Sequence, residues 1–302
     1  MDYNQLDRSI YKWNNESNLT QWDYFYHQDN YNGNRLRARE RKLLQYFDSL
    51  SLPKGAKILD LGCGAGVTSA KILQRGYSVV GIDVSQKLLD IARTNCSSIK
   101  SEGSYKFVEG NVEALPFADE SFDCVIGLGF MQYLEKPGRC VLETSRVLKR
   151  GGYFILGQRN MFGISSLDGP LKLMRAFYYV LSNRRYEFRW QDTLLLYPAL
   201  FITFSLSPFS KFITKKYKYY KDHKTIGFVK KNAWSYRRLN KLLGRHLNVI
   251  SAQGAGYLSK KSKVFYSFFH DLDKYFQKKV DSGKGRLLRK IGNSTVILAR
   301  KE

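Results

Sequence analysis

Three glycines at alternate positions form the part of the sequence that is best suited to hold a ligand. An apolar run at residues 58–61 is typical of a buried parallel strand, and Gly62, Gly64 and Gly66 follow it directly. Glycine has no Cβ and adopts positive φ angles easily, so a ligand can approach the backbone closely. We therefore expect a ligand-binding turn here, with a purely structural turn as the alternative.

Two acids accompany these glycines. Asp60 lies two residues before Gly62, and Asp83 ends a second apolar run, 17 residues after Gly66. A carboxylate at that place can accept hydrogen bonds from both hydroxyls of a ribose, as in the dinucleotide-binding folds. The alternative for Asp83 is to cap the helix expected after it. In the G-x-G-x-x-G dinucleotide fingerprint the third glycine comes one residue later than it does here. This spacing distinguishes the present loop from a dinucleotide-binding loop.

The order Asp-x-Gly-x-Gly-x-Gly resembles motif I of class I S-adenosylmethionine-dependent methyltransferases. Three later segments resemble the same family in the same order, namely Gly-Asn-Val-Glu-Ala-Leu-Pro-Phe at 110–117, Phe-Asp-Cys-Val at 122–125 and Arg-Val-Leu-Lys-Arg-Gly-Gly at 146–152. The resemblance implies an α/β fold with a Rossmann-like, mostly parallel seven-stranded sheet and helices on both faces. It also implies a mainly helical insertion between strand five and the last two strands.

The resemblance further implies S-adenosyl-L-methionine as the cofactor. In the family, the acid at the position of Asp83 binds the ribose, and the residue at the position of Asn111 meets the adenine together with the next backbone N–H. Asn111 is an amide here, but its carbonyl can still accept from the adenine amino group. The predicted cofactor-binding residues are Asp60, Gly62, Cys63, Gly64, Gly66, Asp83, Val84, Asn111, Val112 and Gly127.

Catalysis of methyl transfer leaves a weaker trace in a sequence than cofactor binding does. A sulfonium methyl group is already electrophilic, so the protein has mainly to align an acceptor and exclude water. A general base is needed only when the acceptor is protonated at neutral pH. We predict His27, Gln132 and Tyr133 as catalytic residues, with His27 as the base or, alternatively, a structural histidine. Tyr24, Tyr26 and Tyr133 are the predicted substrate-binding residues.

Four segments are expected to position these residues. We predict an aromatic N-terminal cover and a helix at 1–50 and the cofactor-binding core at 51–159. We further predict a helical acceptor-binding or lid insertion at 160–230 and the completion of the core sheet at 231–302. An apolar stretch at 194–209 is too short and too interrupted by proline to span a bilayer. It either covers the catalytic domain as a lid or lies on an anionic membrane surface.

The helix expected at residues 36–50 has a clear apolar side. That side carries Leu36, Leu43, Leu44, Phe47 and Leu50. The cations Arg37, Arg39, Arg41 and Lys42 are among the remaining residues of the helix, outside its apolar side.

The charge is unevenly placed along the chain. The net charge is +24, of which residues 1–158 contribute +2 and residues 159–302 contribute +22. Such a basic half suits an anionic partner, either a membrane surface or a nucleic acid, although a solvated lysine-rich surface is the alternative. Nucleic acid is the less favoured partner, because Gly-Leu-Gly-Phe at 127–130 replaces the (Asn/Asp)-Pro-Pro-(Tyr/Phe) signature of amino-methyltransferases.

Other classes of protein are disfavoured by composition. The four cysteines are isolated at apolar positions, which favours reduced core thiols in a cytoplasmic protein, and no clustered ligands predict a metal. The polar start predicts no signal peptide, and no apolar run of 18 residues predicts a membrane span. We therefore expect a cytoplasmic, membrane-peripheral methyltransferase that O-methylates a small, lipid-linked or glycan-linked metabolite. The alternatives are an RNA methyltransferase, a non-catalytic S-adenosylmethionine-binding protein and a nucleotide-dependent oxidoreductase.

Overall fold

The computed structural model of the chain describes residues 5–14, 31–160, 234, 236–255, 275–282, 292 and 294–302. The described strands are β1 (Lys57–Leu61), β2 (Ser78–Asp83), β3 (Tyr105–Glu109), β4 (Phe122–Leu128), β5 (Leu148–Arg159), β6 (Asn248–Ala255) and β7 (Ser294–Arg300). The described helices include α1 (Gln5–Asn14), α2 (Tyr31–Asp48), α3 (Val67–Leu73), α4 (Gln86–Ser97), α5 (Pro137–Val147) and α6 (Tyr236–Leu243). A 3-10 turn at Met131–Tyr133 lies between β4 and α5.

The seven strands form one sheet in the order β3-β2-β1-β4-β5-β7-β6. Strands β1 to β5 pair in parallel, whereas β7 runs antiparallel to both β5 and β6. The fold is therefore the expected Rossmann-like, mostly parallel α/β sheet. The chain moves outward from β1 through β2 to β3 and then returns to the other side of β1 with β4. Such a switch point leaves a crevice at the carboxyl ends of the strands, where ligands bind in this class of fold.

Burial on both faces explains why the central strands are continuously apolar. Ile58, Leu59 and Leu61 of β1 are all fully buried, as a strand covered on both sides requires. Helices α2, α3 and α4 pack on one face, where Leu43, Phe47, Ile72, Leu89 and Ile155 belong to one core cluster. Helices α5 and α6 pack on the other face, where Cys140, Val147, Phe154, Leu239 and Leu243 belong to a second cluster.

Helix α2 has three charged side chains that are buried. Arg39, Glu40 and Lys42 are exposed by only 5%, 2% and 6%. Glu40 accepts a hydrogen bond from the Lys71 ammonium at 2.6 Å, and Lys42 pairs with Asp281 at 2.5 Å. The cations that lie off the apolar side of α2 thus differ from one another, since Arg41 is exposed whereas Arg39 and Lys42 are buried. Glu40 and Lys42 are buried as ion pairs with partners from α3 and from the C-terminal part of the chain, which offsets part of the cost of removing their charges from water.

Several expectations fall outside the described residues. One is the helical insertion beyond Asn160. Another is most of a helix that the spacing of apolar residues predicts at 264–279, although residues 275–281 are described and helical. None of the four cysteines is in a disulfide; Cys96, Cys124 and Cys140 are buried and Cys63 is partly buried. In the part of the chain that the structure describes, no helix has both the length and the apolarity needed to cross a bilayer.

Candidate active site

A cleft of about 800 Å³, part of which is open to solvent, lies at the carboxyl edge of the sheet. Its walls come from the turns that follow β1, β2, β3 and β4, and helix α1 closes it with Leu6 and Trp13. The cleft therefore occupies the place that the strand order predicts for a ligand.

The glycine turn after β1 forms one wall of this cleft. Gly62, Gly64 and Gly66 have φ angles of +62°, +53° and +73°, a region that suits glycine. The N–H groups of Gly62 and Cys63 both donate to the carbonyl of Ile82, at 2.8 and 3.2 Å. The N–H groups of Gly62 and Cys63 are therefore already used within the fold. Glycine lets a ligand approach the backbone of this turn closely, but these two N–H groups are not available to bind it.

The carboxylate of Asp83 lies at the centre of the hydrogen bonding around the cleft. Its Oδ2 accepts from the Gly64 N–H and its Oδ1 from the Ser85 N–H, both at 3.0 Å. Burial raises the pKa of Asp83, and these N–H groups act in the opposite direction. An ionised carboxylate has about four acceptor sites, so each oxygen keeps capacity for a ligand hydroxyl. The N-cap of α4 is Ser85, whose Oγ accepts from the Leu88 N–H at 3.3 Å.

The turn after β3 brings Asn111 and Val112 into the cleft. The Asn111 Oδ1 accepts from the Glu113 N–H at 2.9 Å, which fixes the direction of the amide. Farther along, Arg146 of α5 donates to the carbonyls of Phe117 and Leu115, at 2.8 and 3.0 Å, and so ties this turn to the helix layer. The Asn111 oxygen keeps a second lone pair for an amino group of a ligand.

Asp60 lies behind the glycine turn and does not line the cleft. It is 3% exposed, and its Oδ2 accepts from the Ser69 hydroxyl at 2.7 Å. Burial, with smaller effects of the Asp83 and Glu40 charges, raises the pKa of Asp60 from 3.8 to about 7. Asp60 thus connects β1 to the first turn of α3 and supports the loop from behind.

Three other predicted cofactor residues also lie behind the lining, namely Cys63, Gly66 and Gly127. Burial raises the pKa of the Cys63 thiol well above its usual range, so this thiol is neutral. A Cβ on Gly127 would lie 2.4 Å from the Phe130 ring, and one on Gly66 would lie 2.8 Å from the Cβ of Ala92. Gly66 and Gly127 thus allow their neighbours to pack closely. Contact of these three residues with a cofactor stays a prediction. Gly62, Gly64, Asp83, Val84, Asn111 and Val112 do line the cleft.

The predicted catalytic and substrate residues are only partly described. Tyr133 lines the cleft, and its ring meets that of Trp13 edge-on, with centroids 5.4 Å apart. Gln132 precedes it and is half-buried, but it is not part of the lining. His27, Tyr24 and Tyr26 lie outside the described residues. Within the described ranges, no group of three His, Cys, Asp or Glu side chains is placed to hold a metal ion.

Sequence reasoning missed two carboxylates in the cleft, Glu113 and Glu135. Together with Asp83 they are the only charged residues among the described lining, so the cleft is acidic. Glu113 also accepts from the Lys136 N–H at 2.8 Å, which joins the turn after β3 to the start of α5. For Glu113 the available signal was its position, four residues after the end of β3 at the ligand-binding edge, whereas Glu135 lies beyond the 3-10 turn that follows β4.

The fold and the cleft define an α/β protein that binds a nucleoside-type ligand at the carboxyl edge of its sheet. Residues 59–156 match the protein family described as "Methyltransferase domain". The chain is 34% identical over 128 residues to a ubiquinone biosynthesis O-methyltransferase from Alkalilimnicola ehrlichii, covering 40% of this chain and 51% of that protein. It is 30% identical over 129 residues to a demethylmenaquinone methyltransferase from Tropheryma whipplei, covering 43% and 49%.

The chain spans about half the length of these curated relatives. Among solved structures, a SAM-dependent methyltransferase from Thermotoga maritima is similar with a TM-score of 0.53 at 16% identity, covering 95% of this chain and 98% of that one. A chain of the complex between the Haloferax volcanii Trm112 methyltransferase activator and a methyltransferase has a TM-score of 0.55 at 16% identity, with 97% of each chain covered. These two likenesses concern the fold.

Residues 59–156 thus match a methyltransferase domain, and the cofactor that this match implies is S-adenosyl-L-methionine. The residues of the cleft fit this cofactor. Its net charge is positive, and every described charge in the lining is a carboxylate. Asp83 keeps acceptor capacity for two ribose hydroxyls, and Asn111 keeps a lone pair for the adenine amino group.

Proposed function

We propose that the chain is an S-adenosylmethionine-dependent methyltransferase that transfers a methyl group to an oxygen of a small, lipid-linked or glycan-linked metabolite. The observation that carries this proposal is the acidic cleft, in which the Asp83 carboxylate meets the uncovered backbone of Gly62 and Gly64. The names of the relatives, which refer to ubiquinone and demethylmenaquinone methylation, support a small acceptor.

The cofactor supplies an electrophilic methyl group with a neutral thioether as the leaving group. The chain has to hold it, align the acceptor and keep water out. Asp83 takes the ribose and Asn111 the adenine in this proposal, while Trp13 of α1 covers the cleft. Tyr133 is placed to orient an acceptor, and His27 stays our proposed base.

Outside the cleft, the proposal assigns acceptor binding to the insertion at 160–230 and completion of the core sheet to residues 231–302. We also propose that the protein is cytoplasmic and peripheral to the membrane. The apolar stretch at 194–209 and the net charge of +22 in residues 159–302 support a partner that is both apolar and anionic.

Calorimetry with S-adenosylhomocysteine and with NAD tests the cofactor assignment. We expect the first to bind and the second not to bind. Asp83→Asn should weaken S-adenosylhomocysteine binding by about 10- to 100-fold, because hydrogen bonds to a charged group contribute roughly 1.5–3 kcal/mol. Asp90→Asn is the matched control, since this aspartate is 62% exposed and lies outside the cleft. Equal affinities of the two variants would contradict the ribose assignment, and binding of NAD would favour an oxidoreductase.

Transfer of a labelled methyl group to fractions of a lysate identifies the acceptor. We expect the label in the lipid or small-metabolite fraction. Label in RNA would instead favour the polyanion methyltransferase, for which the basic C-terminal half is the supporting observation. Binding of S-adenosylhomocysteine without label in any fraction would favour a non-catalytic binding protein.

A further inference from the structure

Helices α5 and α6 present a strongly basic outer face. Its cations are Lys136, Arg139, Arg237, Lys241 and Arg245, all of them exposed. We call these five residues the basic face. The outer surface of this helix layer is therefore a place where positive charge is concentrated, partly inside the family-matched region, at Lys136 and Arg139, and partly outside it, on α6 and just after it.

The cations of the basic face differ from the other cations of α5 and its flanks. Arg146 pairs with Asp119 and Glu143, and Lys149 pairs with Asp123 at 2.7 Å. Among the described residues, no salt bridge engages any member of the basic face. These five cations thus form no ion pair with the described residues, although the pKa of Glu143, which Arg146 lowers most, is also lowered to a smaller extent by the charge of Arg139.

The geometry brings these charges together on one surface. Both helices pack on the same face of the sheet, and the Ser145 hydroxyl of α5 donates to the carbonyl of His246, just after α6, at 3.2 Å. Arg237, Lys241 and Arg245 are spaced by four residues, which places them along one side of α6 and the turn that follows it. On α5, Leu142 lies one turn after Arg139 and is 49% exposed, so the face also carries an apolar side chain.

We propose that the basic face docks the protein on an anionic phospholipid bilayer. Clustered Lys and Arg side chains bind anionic headgroups, and an apolar side chain among them enters the interface. Leu142 is that side chain here. The proposal rests on the membrane association proposed above and deepens it by naming the surface, but it does not depend on the methyl-transfer chemistry, so vesicle binding and cofactor binding can fail separately.

One end of the basic face, at Lys136, borders the mouth of the cleft. Glu135 lines the cleft, and Lys136, the next residue, precedes α5 as its N-cap. The bond from the Lys136 N–H to Glu113 holds this junction at 2.8 Å. Docking through this face therefore places the cleft mouth close to the bilayer surface, within reach of an acceptor that resides in the membrane.

The charge inside the cleft decides between a bilayer and a nucleic acid as the partner. The described lining carries Asp83, Glu113 and Glu135 and no cation. A polyanion that was bound on the basic face would have to bring its phosphates towards these carboxylates to be methylated, which is unfavourable. Anionic lipid headgroups stay at the bilayer surface and do not have to enter the cleft. Cations on the basic face and carboxylates inside the cleft therefore suit a membrane.

The experiment is co-sedimentation of the full chain with vesicles of phosphatidylcholine, with and without phosphatidylserine. The test variant is Arg139→Glu/Lys241→Glu/Arg245→Glu, and the control is Lys54→Glu/Lys100→Glu/Lys106→Glu, three exposed lysines elsewhere on the described surface. Both variants change the net charge equally. Each cation near an anionic surface contributes about fivefold to binding, so the test variant should bind phosphatidylserine vesicles at least about a hundredfold more weakly. The control should bind like the unmodified chain.

A second variant, Leu142→Ser, tests the apolar contact and should weaken vesicle binding without any change of charge. Far-UV circular dichroism of every variant shows that each one is folded, and binding of S-adenosylhomocysteine tests the cofactor assignment separately. Failure of the unmodified chain to bind phosphatidylserine vesicles would overturn the proposal. So would an equal loss in the control, or an unstructured RNA oligonucleotide that binds the basic face while vesicles do not.

Discussion

Gly62 lies where two walls of the cleft approach each other, and this position explains why no larger residue fits. Its φ of +62° disfavours a side chain, and a Cβ would lie 2.6 Å from the Cβ of Phe130. Gly55 offers a matched comparison, because its φ is +73° but a Cβ there would have nothing within 4 Å. The two positions therefore separate the cost of backbone strain from the cost of steric overlap.

We expect Gly55→Ala to lower the free energy of unfolding by about 1–2 kcal/mol, the cost of a left-handed conformation. Gly62→Ala should cost about 1–3 kcal/mol more, because Phe130 has to move. It should also weaken S-adenosylhomocysteine binding, which Gly55→Ala should leave unchanged. Urea unfolding and calorimetry measure both quantities. Equal losses of stability in the two variants would show that the contact with Phe130 is not limiting.

Asp60 makes stability depend on pH in a direction that is unusual for an aspartate. Burial raises its pKa in the folded chain from 3.8 to about 7, so the folded state holds a proton that the unfolded state releases. Between about pH 4 and pH 7 the folded state binds more protons, and stability therefore falls as the pH rises. Above the folded pKa the cost is complete and stays constant. The full effect is on the order of 4 kcal/mol at most.

Asp60→Asn removes this titration while keeping an oxygen that can accept from Ser69. We therefore expect the variant to gain stability relative to the unmodified chain as the pH rises from 5 to 8. Urea unfolding across this range measures the difference. Glu102→Gln, at an exposed position, serves as the control and should run parallel to the unmodified chain. Parallel profiles for Asp60→Asn as well would mean that Asp60 is ionised in the folded state throughout.

At the scale of elements, helix α1 holds the cleft closed through few contacts. The Ser85 hydroxyl, which caps α4, lies 3.0 Å from the carbonyl oxygen of Trp13 and 2.7 Å from Oδ1 of Asn14. The Trp13 ring packs near Leu88 of α4 and meets Tyr133 edge-on. The ring thus bridges the wall after β2 and the wall after β4, so it should stabilise the bound cofactor.

We expect Trp13→Ala to raise the dissociation rate of S-adenosylhomocysteine by about 2- to 10-fold, because an aromatic pair contributes about 0.5–1.5 kcal/mol. Trp13→Phe keeps a ring at this place and should recover most of the loss. Stopped-flow binding measures the rates, with Ser85 left intact in both variants. An unchanged rate in Trp13→Ala would mean that α1 does not cover the bound ligand.

The central strands were predictable because burial on both faces makes them apolar, as in β1, whereas the edge strands β3 and β6 carry exposed residues. The sequence pattern predicts strands at 105–109 and 248–254, which agree with both bounds of β3 and come within one residue of the end of β6. It predicts a further strand that starts at Tyr153, whereas β5 begins five residues earlier, at Leu148. Its early part contains Gly151, with φ of +74°, and its pairing with β4 shifts register there, which hides the strand from a simple periodicity.

The cofactor side of the cleft was predictable for a different reason, since its residues follow strand ends directly. Asp83 and Asn111 line the cleft as the resemblance implies. Glu135 was missed because it follows a 3-10 turn, whose geometry no local pattern indicates. Arg39 was missed because its burial depends on contacts distant in sequence, with its guanidinium near Gly129 and its stem near Gly157.

For the whole molecule, α2 and β7 join the family-matched region to the rest of the chain. Tyr46 of α2 shares a hydrogen bond with Ser251 of β6 at 2.7 Å, and Lys42 pairs with Asp281. Strand β7 pairs with β5 along its whole length, from Ser294 to Arg300. The core that surrounds the cofactor cleft is therefore shared with segments that lie outside residues 59–156.

This sharing predicts that residues 51–159 do not fold cooperatively when they are expressed alone. Without β7 the outer edge of β5 would be unpaired. Without α2 the face of the sheet that carries Ile155 would lose the apolar cover of Leu43 and Phe47. We expect a single urea transition for the full chain and a broad, non-cooperative one for the fragment, followed by far-UV circular dichroism. A fragment with a sharp transition that also binds S-adenosylhomocysteine would show that the matched region is an independent domain. In that case α2 and β7 would serve the acceptor side rather than the stability of the core.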